Sequence, residues 1–183
     1  LNNYMHTRIM DLAKDSKGNV WIASAQFGIG KLNAAGKVEW YQSLENLNIT
    51  SVAVDDNDLL WICTSSGIYI LNNGKFENIT ETVQGSGSFR KIRKIDGLLY
   101  FLGFGIKIID PQSKKLLKTI LPPNPQINTA YSAFKDDSGK ILFGFYTGVY
   151  VLSKDSLIKF EPLKNKIISP VYFITQDKNN NYW

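Results

Sequence analysis

A motif of about 40 residues recurs along the chain and limits the possible folds more than any other feature of the sequence. In four places an Asp is followed, six residues later, by a large apolar residue. The four pairs are Asp15 and Trp21, Asp55 and Trp61, Asp136 and Leu142, and Asp177 and Trp183. A weaker copy has Lys94 and Tyr100 at the same two positions. Repeats of this length indicate units that bury their apolar faces against neighbouring units.

Each repeat predicts four short antiparallel strands. The Asp lies between two apolar segments, in runs of Asp, Asn, Ser and Gly that favour hairpin turns. A Gly then opens an alternating apolar segment at 28–32, 67–71, 105–109 and 148–152. Turn residues at 33–36, 72–74, 110–113 and 153–156 precede one more apolar segment. Because no window has a sustained helical period, we expect few helices.

Four strands in every 40 or so residues predict an all-β chain, a fragment of a β-propeller with four-stranded antiparallel blades. A β-sandwich needs no sequence repeat, and a β-helix has much shorter coils. We expect one propeller segment over 1–183, with blades at about 5–46, 47–86, 87–126 and 127–168 and an incomplete blade at 169–183. Its exposed edges would be an aggregation hazard. We therefore expect an excerpt of a longer chain or, as the second choice, two copies that complete each other.

The large residue of each repeat is expected to pack between blades rather than to contact a ligand. An aromatic side chain at the start of the second strand can fill the gap between two twisted sheets. Trp21, Trp61 and Tyr100 are therefore predicted to be wedges between neighbouring blades. Cys63 lies in an apolar run and is predicted to be a small core residue, not a reactive thiol.

Charge and composition exclude several classes of partner. The formal net charge of +5 is spread along the chain, and only Arg90, Lys91, Arg93 and Lys94 form a tight group of cations. In an extended strand these four side chains alternate between two faces, so we interpret them as a solvated strand edge and expect no nucleic-acid partner. The longest apolar runs are far shorter than a bilayer requires, which predicts no membrane insertion of this segment.

Catalytic and metal-binding patterns are missing from the sequence. The only histidine is His6, which we interpret as a surface or packing residue, so neither a Ser-His-Asp triad nor a multi-histidine metal site can be assembled. The acidic pairs Asp55 with Asp56 and Asp136 with Asp137 could suggest glycosidase carboxylates or calcium ligands. Their position in hairpin turns favours a structural role. We expect no catalytic residue, no metal and no cofactor.

The repeat resembles the two-component regulator propeller repeat. Its pattern of apolar residues, Asp, Gly-Asn, Trp-Ile and a later Gly-Ile is close in residues 9–32 and 49–71, moderate in 130–152 and weak in 89–109. In that family such repeats form propellers in the periplasmic sensor region of hybrid sensor kinases that regulate glycan use. The resemblance implies a non-catalytic, periplasmic or extracytoplasmic sensor of glycans, with any kinase output encoded elsewhere in a longer chain.

Propellers usually bind ligands on the face that carries the loops between blades and the loops between second and third strands. Saccharides need aromatic faces for the apolar side of the sugar ring and amides for its hydroxyl groups. The candidate ligand residues on these loops and strand ends are Gln26, Phe27, Arg90, Tyr131, Tyr146 and Tyr172. Two alternatives stay open: a polysaccharide-acting lyase or hydrolase, and a scaffold that binds another protein.

Overall fold

The computed structural model describes residues 8–41, 47–84, 89–122, 124, 129–163 and 170–183. Sixteen strands and one 3-10 turn, Glu161–Leu163, form the regular structure of these residues. The strands are β1 Ile9–Lys14, β2 Val20–Ser24, β3 Gly28–Leu32, β4 Val38–Tyr41, β5 Ile49–Val54, β6 Leu60–Thr64, β7 Gly67–Asn72, β8 Lys75–Asn78, β9 Phe89–Ile95, β10 Leu98–Gly103, β11 Gly105–Asp110, β12 Lys115–Ile120, β13 Ala130–Lys135, β14 Ile141–Phe145, β15 Gly148–Ser153 and β16 Ser156–Lys159.

Each group of four consecutive strands forms one antiparallel sheet in which the strand order follows the chain. We call these sheets blade 1 (β1 to β4), blade 2 (β5 to β8), blade 3 (β9 to β12) and blade 4 (β13 to β16). The first strands β1, β5, β9 and β13 contact one another in succession, which makes them the inner strands of a radial array. The expected all-β fold with four-stranded propeller blades is confirmed. No helix of the described residues is long and apolar enough to cross a bilayer.

The wedge positions lie between blades, as predicted. Trp21 packs in a buried cluster with residues of β5 and β6, and Trp61 packs in a second cluster with residues of β9 to β11. Tyr100 occupies the next junction, where its ring centroid is 6.1 Å from that of Phe143 in blade 4. Cys63 is fully buried beside Trp61, and burial raises the pKa of its thiol, which agrees with a core role.

The recurrent Asp organises the hairpin between the first and second strands. Its Oδ1 atom accepts a backbone N–H from the residue four positions later in every copy. The donors are Asn19 at 2.8 Å, Leu59 at 3.0 Å, Lys140 at 2.8 Å and Asn181 at 2.9 Å. The residue three positions after the Asp has a positive φ of 60° to 84°, which explains why Gly18, Asp58, Gly139 and Asn180 stand there. These carboxylates therefore hold turns.

The second oxygen of the same Asp accepts the indole N–H of the tryptophan six residues later in two repeats, whereas in blade 1 it accepts the side-chain N–H of Asn19 at 2.8 Å. Asp55 Oδ2 accepts the indole N–H of Trp61 at 2.8 Å. In blade 4 the wedge is Leu142, which has no donor, and the hydroxyl of Tyr182 donates to Asp136 Oδ2 at 2.9 Å instead. A tyrosine from the following repeat thus replaces the missing hydrogen bond. Burial, together with the adjacent Asp136 carboxylate, raises the pKa of Tyr182 to about 12.

We expect Tyr182→Phe to lower the free energy of unfolding by about 1 kcal/mol at pH 7, because Asp136 loses a donor to a buried carboxylate oxygen. A pKa that is raised in the folded state stabilises the protein below pH 10 and stops doing so as the pH rises through 12. The difference between the two proteins should therefore shrink above pH 10 in denaturant titrations. An equal loss from Tyr172→Phe, whose side chain is exposed, would contradict this assignment.

Polar contacts tie neighbouring blades at the end that carries these hairpins. The Ser16 backbone N–H donates to Asp58 at 2.8 Å between blades 1 and 2. The other junctions use the contacts Lys94 with Asp56 at 2.7 Å, Lys135 with Asp96 at 2.7 Å, and the Asp137 N–H with Gln176 at 3.0 Å. Because these groups are exposed, each contact fixes the register of adjacent blades more than it adds stability.

Candidate ligand-binding rim

A β-bulge occurs near the start of every inner strand. In blade 1, Ile9 pairs with Ser24 and Asp11 with Ala23, so that Met10 has no partner in the ladder. Blades 2, 3 and 4 have the same irregularity, and the residues left out of the ladder are Thr50, Arg90 and Tyr131. Bulges redirect side chains and are frequent next to functional sites. In this protein they turn one residue per blade away from the regular alternation.

Three of the six candidate ligand residues come together at this end. The guanidinium carbon of Arg90 lies 5.7 Å from the ring centroid of Tyr131. The ring centroid of Tyr131 lies 4.9 Å from that of Tyr172 in an edge-to-face contact. We call Arg90, Tyr131 and Tyr172 the rim cluster. It spans the beginnings of three successive repeats, and Tyr172 remains 67% exposed. The cluster thus presents aromatic surface and a cation to solvent.

The other three candidates lie on hairpins between second and third strands. Gln26 and Phe27 belong to blade 1, two blades away from Arg90. Phe27 is half-buried, and its ring packs against Trp40 of the same blade at 5.5 Å. Tyr146 is exposed on the corresponding hairpin of blade 4. Of the six candidate residues, three therefore contact one another, whereas Gln26 with Phe27 and Tyr146 lie on two separate hairpins. Phe27 takes part in packing within blade 1.

One exposed aromatic residue of this face is missing from the six candidates. Phe104 is the single residue between β10 and β11, and it is exposed. It also bridges Thr129, next to the start of the blade 4 inner strand, so the hairpin lies at the same end as the rim cluster. The sequence does contain a signal for Phe104, since it is a single aromatic residue between Gly103 and Gly105. His6 and most of the loops between blades, at 42–46, 85–88, 125–128 and 164–169, lie outside the described residues.

The cations of β9 do not all behave as a solvated edge. The side chains of Lys91 and Arg93 share one side of the strand, as expected, but both pair with Asp11 of blade 1, at 2.8 Å and 3.4 Å. Ser51 of blade 2 donates its hydroxyl to Asp11 and accepts the Ile92 N–H at 3.0 Å. The solvated-edge prediction is therefore wrong for Lys91 and Arg93, because β9 is an inner strand beside β5.

We call Asp11, Ser51, Lys91 and Arg93 the inner-strand cluster. The Asp11 side chain is only 8% exposed, whereas Lys91 and Arg93 are 20% and 32% exposed. One largely buried carboxylate thus connects three blades through two cations and a hydroxyl. Within the described residues, no group of three or more His, Cys, Asp or Glu side chains could hold a metal ion. The rim cluster on this face exposes an aromatic ring and a cation.

Solved structures with a similar fold include extracellular domains of signalling proteins. The extracellular domain of a hybrid two-component system from B. thetaiotaomicron superposes with a TM-score of 0.72 and 22% identity, over 96% of this chain and 25% of that one. A second such domain from B. thetaiotaomicron gives a TM-score of 0.71 and 17% identity over the same shares. This chain therefore spans about a quarter of the length of those domains.

Propellers with other functions superpose equally well. Virginiamycin B lyase from Staphylococcus aureus gives a TM-score of 0.72 and 16% identity, over 96% of this chain and 62% of that one. At such identities the likeness shows the propeller fold alone. No curated protein matches the sequence significantly. Residues 3–26 match the family described as "Two component regulator propeller". Residues 3–26 therefore match one copy of that repeat, and the solved structures share the propeller arrangement of these four-stranded sheets.

Proposed function

We propose that this chain is a non-catalytic sensor segment of an extracytoplasmic two-component signalling protein, and that its rim cluster binds an oligosaccharide. The contact of Arg90, Tyr131 and Tyr172 across three repeats carries the proposal. Aromatic faces suit the apolar side of a sugar ring, and phenol and guanidinium groups suit its hydroxyls. The repeat family and the extracellular domains that share the fold support the sensor role.

The positions of the carboxylates favour binding over catalysis. Asp15, Asp55 and Asp136 are buried, and each accepts hydrogen bonds from its own hairpin. Hydrolysis of a glycosidic bond needs two carboxyl groups that face the sugar with a defined separation. Carboxylates whose oxygens accept hydrogen bonds within a turn do not face a bound sugar as its acid and base. A lyase or hydrolase would need its acid and base elsewhere on the rim face.

The rim proposal predicts which variants lose saccharide binding. We expect Tyr131→Ala and Tyr172→Ala each to weaken binding of a recognised oligosaccharide about tenfold, since each removes one aromatic face worth about 1–2 kcal/mol. Calorimetric titration of the chain against a panel of oligosaccharides measures this. Tyr172→Phe should keep most of the affinity because the ring remains. Leu117→Ala, which truncates an exposed apolar residue on the outer strand β12, is the control.

The same panel separates the competing functions. Binding without new reducing ends or unsaturated products after long incubation supports a sensor. Appearance of such products would support a lyase or hydrolase and would overturn the non-catalytic assignment. If no oligosaccharide of the panel binds, the rim is not a saccharide site, and a protein-interaction scaffold becomes the better account of its exposed aromatic surface.

A further inference from the structure

Arg90 differs from the other cations of its strand in having no counter-charge. Lys91 and Arg93 pair with Asp11, and Lys94 pairs with Asp56. Within the residues that the structure describes, no carboxylate pairs with Arg90, which is exposed on the bulge of β9. A cation that is held in place but not neutralised is available to an anionic group of a ligand.

The tyrosine beneath Arg90 orients this cation. A guanidinium group over an aromatic ring is attracted by the electrons of the ring face, and its N–H groups remain free to donate to acceptors. Here the distance from the guanidinium carbon to the Tyr131 centroid is 5.7 Å, and Tyr172 in turn supports Tyr131 at 4.9 Å. The arginine and the two aromatic faces are therefore adjacent parts of one surface, and a single ligand can contact all three.

The surrounding charge strengthens the preference for an anion. Asp11 is shared by Lys91 and Arg93, so the inner-strand cluster next to Arg90 along β9 keeps one net positive charge. A local excess of one sign of charge attracts ligands of the other.

We propose that the ligand of the rim cluster is an acidic saccharide, whose carboxylate or sulfate binds Arg90 while its ring lies against Tyr131 and Tyr172. This inference rests on the proposed function, since it specifies the class of saccharide for the same site. Carboxylate and sulfate share the geometry of paired oxygens that a guanidinium fork recognises. A neutral saccharide would leave the charge of Arg90 unused.

Matched pairs of probes test the proposal. The chain is titrated by calorimetry with oligogalacturonate and its methyl ester, and with a chondroitin sulfate oligosaccharide and its desulfated, carboxyl-reduced form. We expect an acidic member of a pair to bind at least about tenfold more tightly than its neutral partner, since a charge-assisted contact is lost with the acid group. A difference in the galacturonate pair identifies carboxylate as the recognised group. Where only the chondroitin pair differs, the desulfated oligosaccharide that keeps its carboxylates distinguishes sulfate from carboxylate.

Variants then assign the preference to one residue. Arg90→Gln should weaken binding of the acidic member about 10- to 100-fold and leave the affinity for the neutral member unchanged. Lys115→Gln removes the same charge from an exposed position of the outer strand β12 and should leave both affinities unchanged. Added salt should weaken binding of the acidic member more steeply in the parent chain than in Arg90→Gln.

Each of the remaining outcomes contradicts one part of the proposal. Binding with equal affinity for both members of every pair would refute the acidic class while the saccharide function stands. A preference for the acidic member that survives Arg90→Gln would refute the role of Arg90. Equal losses of affinity from Arg90→Gln and Lys115→Gln would mean that the preference depends on net charge and not on Arg90. If no probe of either kind binds, the proposed function fails and the inference fails with it.

Discussion

Trp61→Ala should lower the free energy of unfolding by about 3–5 kcal/mol, the range found when a fully buried aromatic side chain is truncated to alanine. The Trp61 side chain is 0% exposed and lies between blades 2 and 3, with its ring centroid 6.2 Å from that of Phe101. The substitution leaves a cavity at a junction that holds two sheets together. It also leaves Asp55 Oδ2 without the indole N–H that it accepts at 2.8 Å. Denaturant titration followed by circular dichroism measures the loss.

The repeat supplies its own control for this prediction. Trp183 occupies the same position of its repeat and donates to Asp177 Oδ2 at 3.2 Å, but its side chain is 74% exposed. In the 183-residue chain, Trp183→Ala should therefore change the free energy of unfolding by less than about 1 kcal/mol. Similar losses for Trp61→Ala and Trp183→Ala would mean that burial between blades is not what the tryptophan contributes.

A third variant separates packing from hydrogen bonding at the same site. Trp61→Phe keeps an aromatic ring in the junction but removes the indole N–H donor to Asp55. Its loss should fall well below that of Trp61→Ala, since the cavity is smaller and one hydrogen bond is worth about 1 kcal/mol. A phenylalanine variant as unstable as the alanine variant would instead make the Asp55 contact the main contribution.

The sequence predicts well those features whose interacting residues all lie within the same repeat. Asp55 and Trp61 are six residues apart, so both the turn and the wedge can be recognised from local spacing and from the copies elsewhere in the chain. The same local logic predicts the hairpin of blade 3, where Asp96 and Gly97 both have positive φ. Because each blade repeats the same contacts, one correct interpretation applies to all of them.

Features that depend on contacts between repeats were harder to predict. The hydrogen bond from Tyr182 to Asp136, which Leu142 cannot supply, joins residues of different repeats. The pairing of Asp11 with Lys91 joins the first repeat to the third. An alignment of repeats still contains a signal for the second case. Ten residues before the large residue the repeats have Asp11, Ser51, Arg90 and Ser132, so the alignment indicates a cation at this position of the third repeat but identifies Arg90 instead of its neighbour Lys91.

The candidate site was predicted in part for the same reason. Periodicity places Tyr131 and Tyr172 eleven residues before the large apolar residue of their repeats and Arg90 ten residues before Tyr100, which indicates nearly the same position at one end of the molecule. It does not indicate the bulge that leaves this position out of the strand ladder in blades 3 and 4. Without the bulge, strict alternation would assign side chains to faces incorrectly from that residue onward. The contacts within the rim cluster therefore required the structure.

Asp11→Asn should lower the free energy of unfolding by about 2–3 kcal/mol, because it removes the one carboxylate of the inner-strand cluster and keeps its shape. Removing one partner of a fully buried ion pair costs about 3–5 kcal/mol, and the cost is smaller here because water still reaches Lys91 and Arg93. Ser51 still finds an acceptor in the amide, so the loss reports the charges rather than the hydroxyl. Chemical unfolding at neutral pH measures it.

A double-mutant cycle decides whether the loss belongs to this cluster. Lys91→Met removes one cation while keeping an apolar stem, and the cycle with Asp11→Asn should give a coupling energy of about 1 kcal/mol or more between the two residues. Asp155→Asn, which removes an exposed carboxylate paired with Lys118, is the control and should change stability by less than about 0.5 kcal/mol. Since Asp11, Ser51 and Lys91 belong to three different blades, a coupling near zero would mean that the inner strands are held by apolar packing alone.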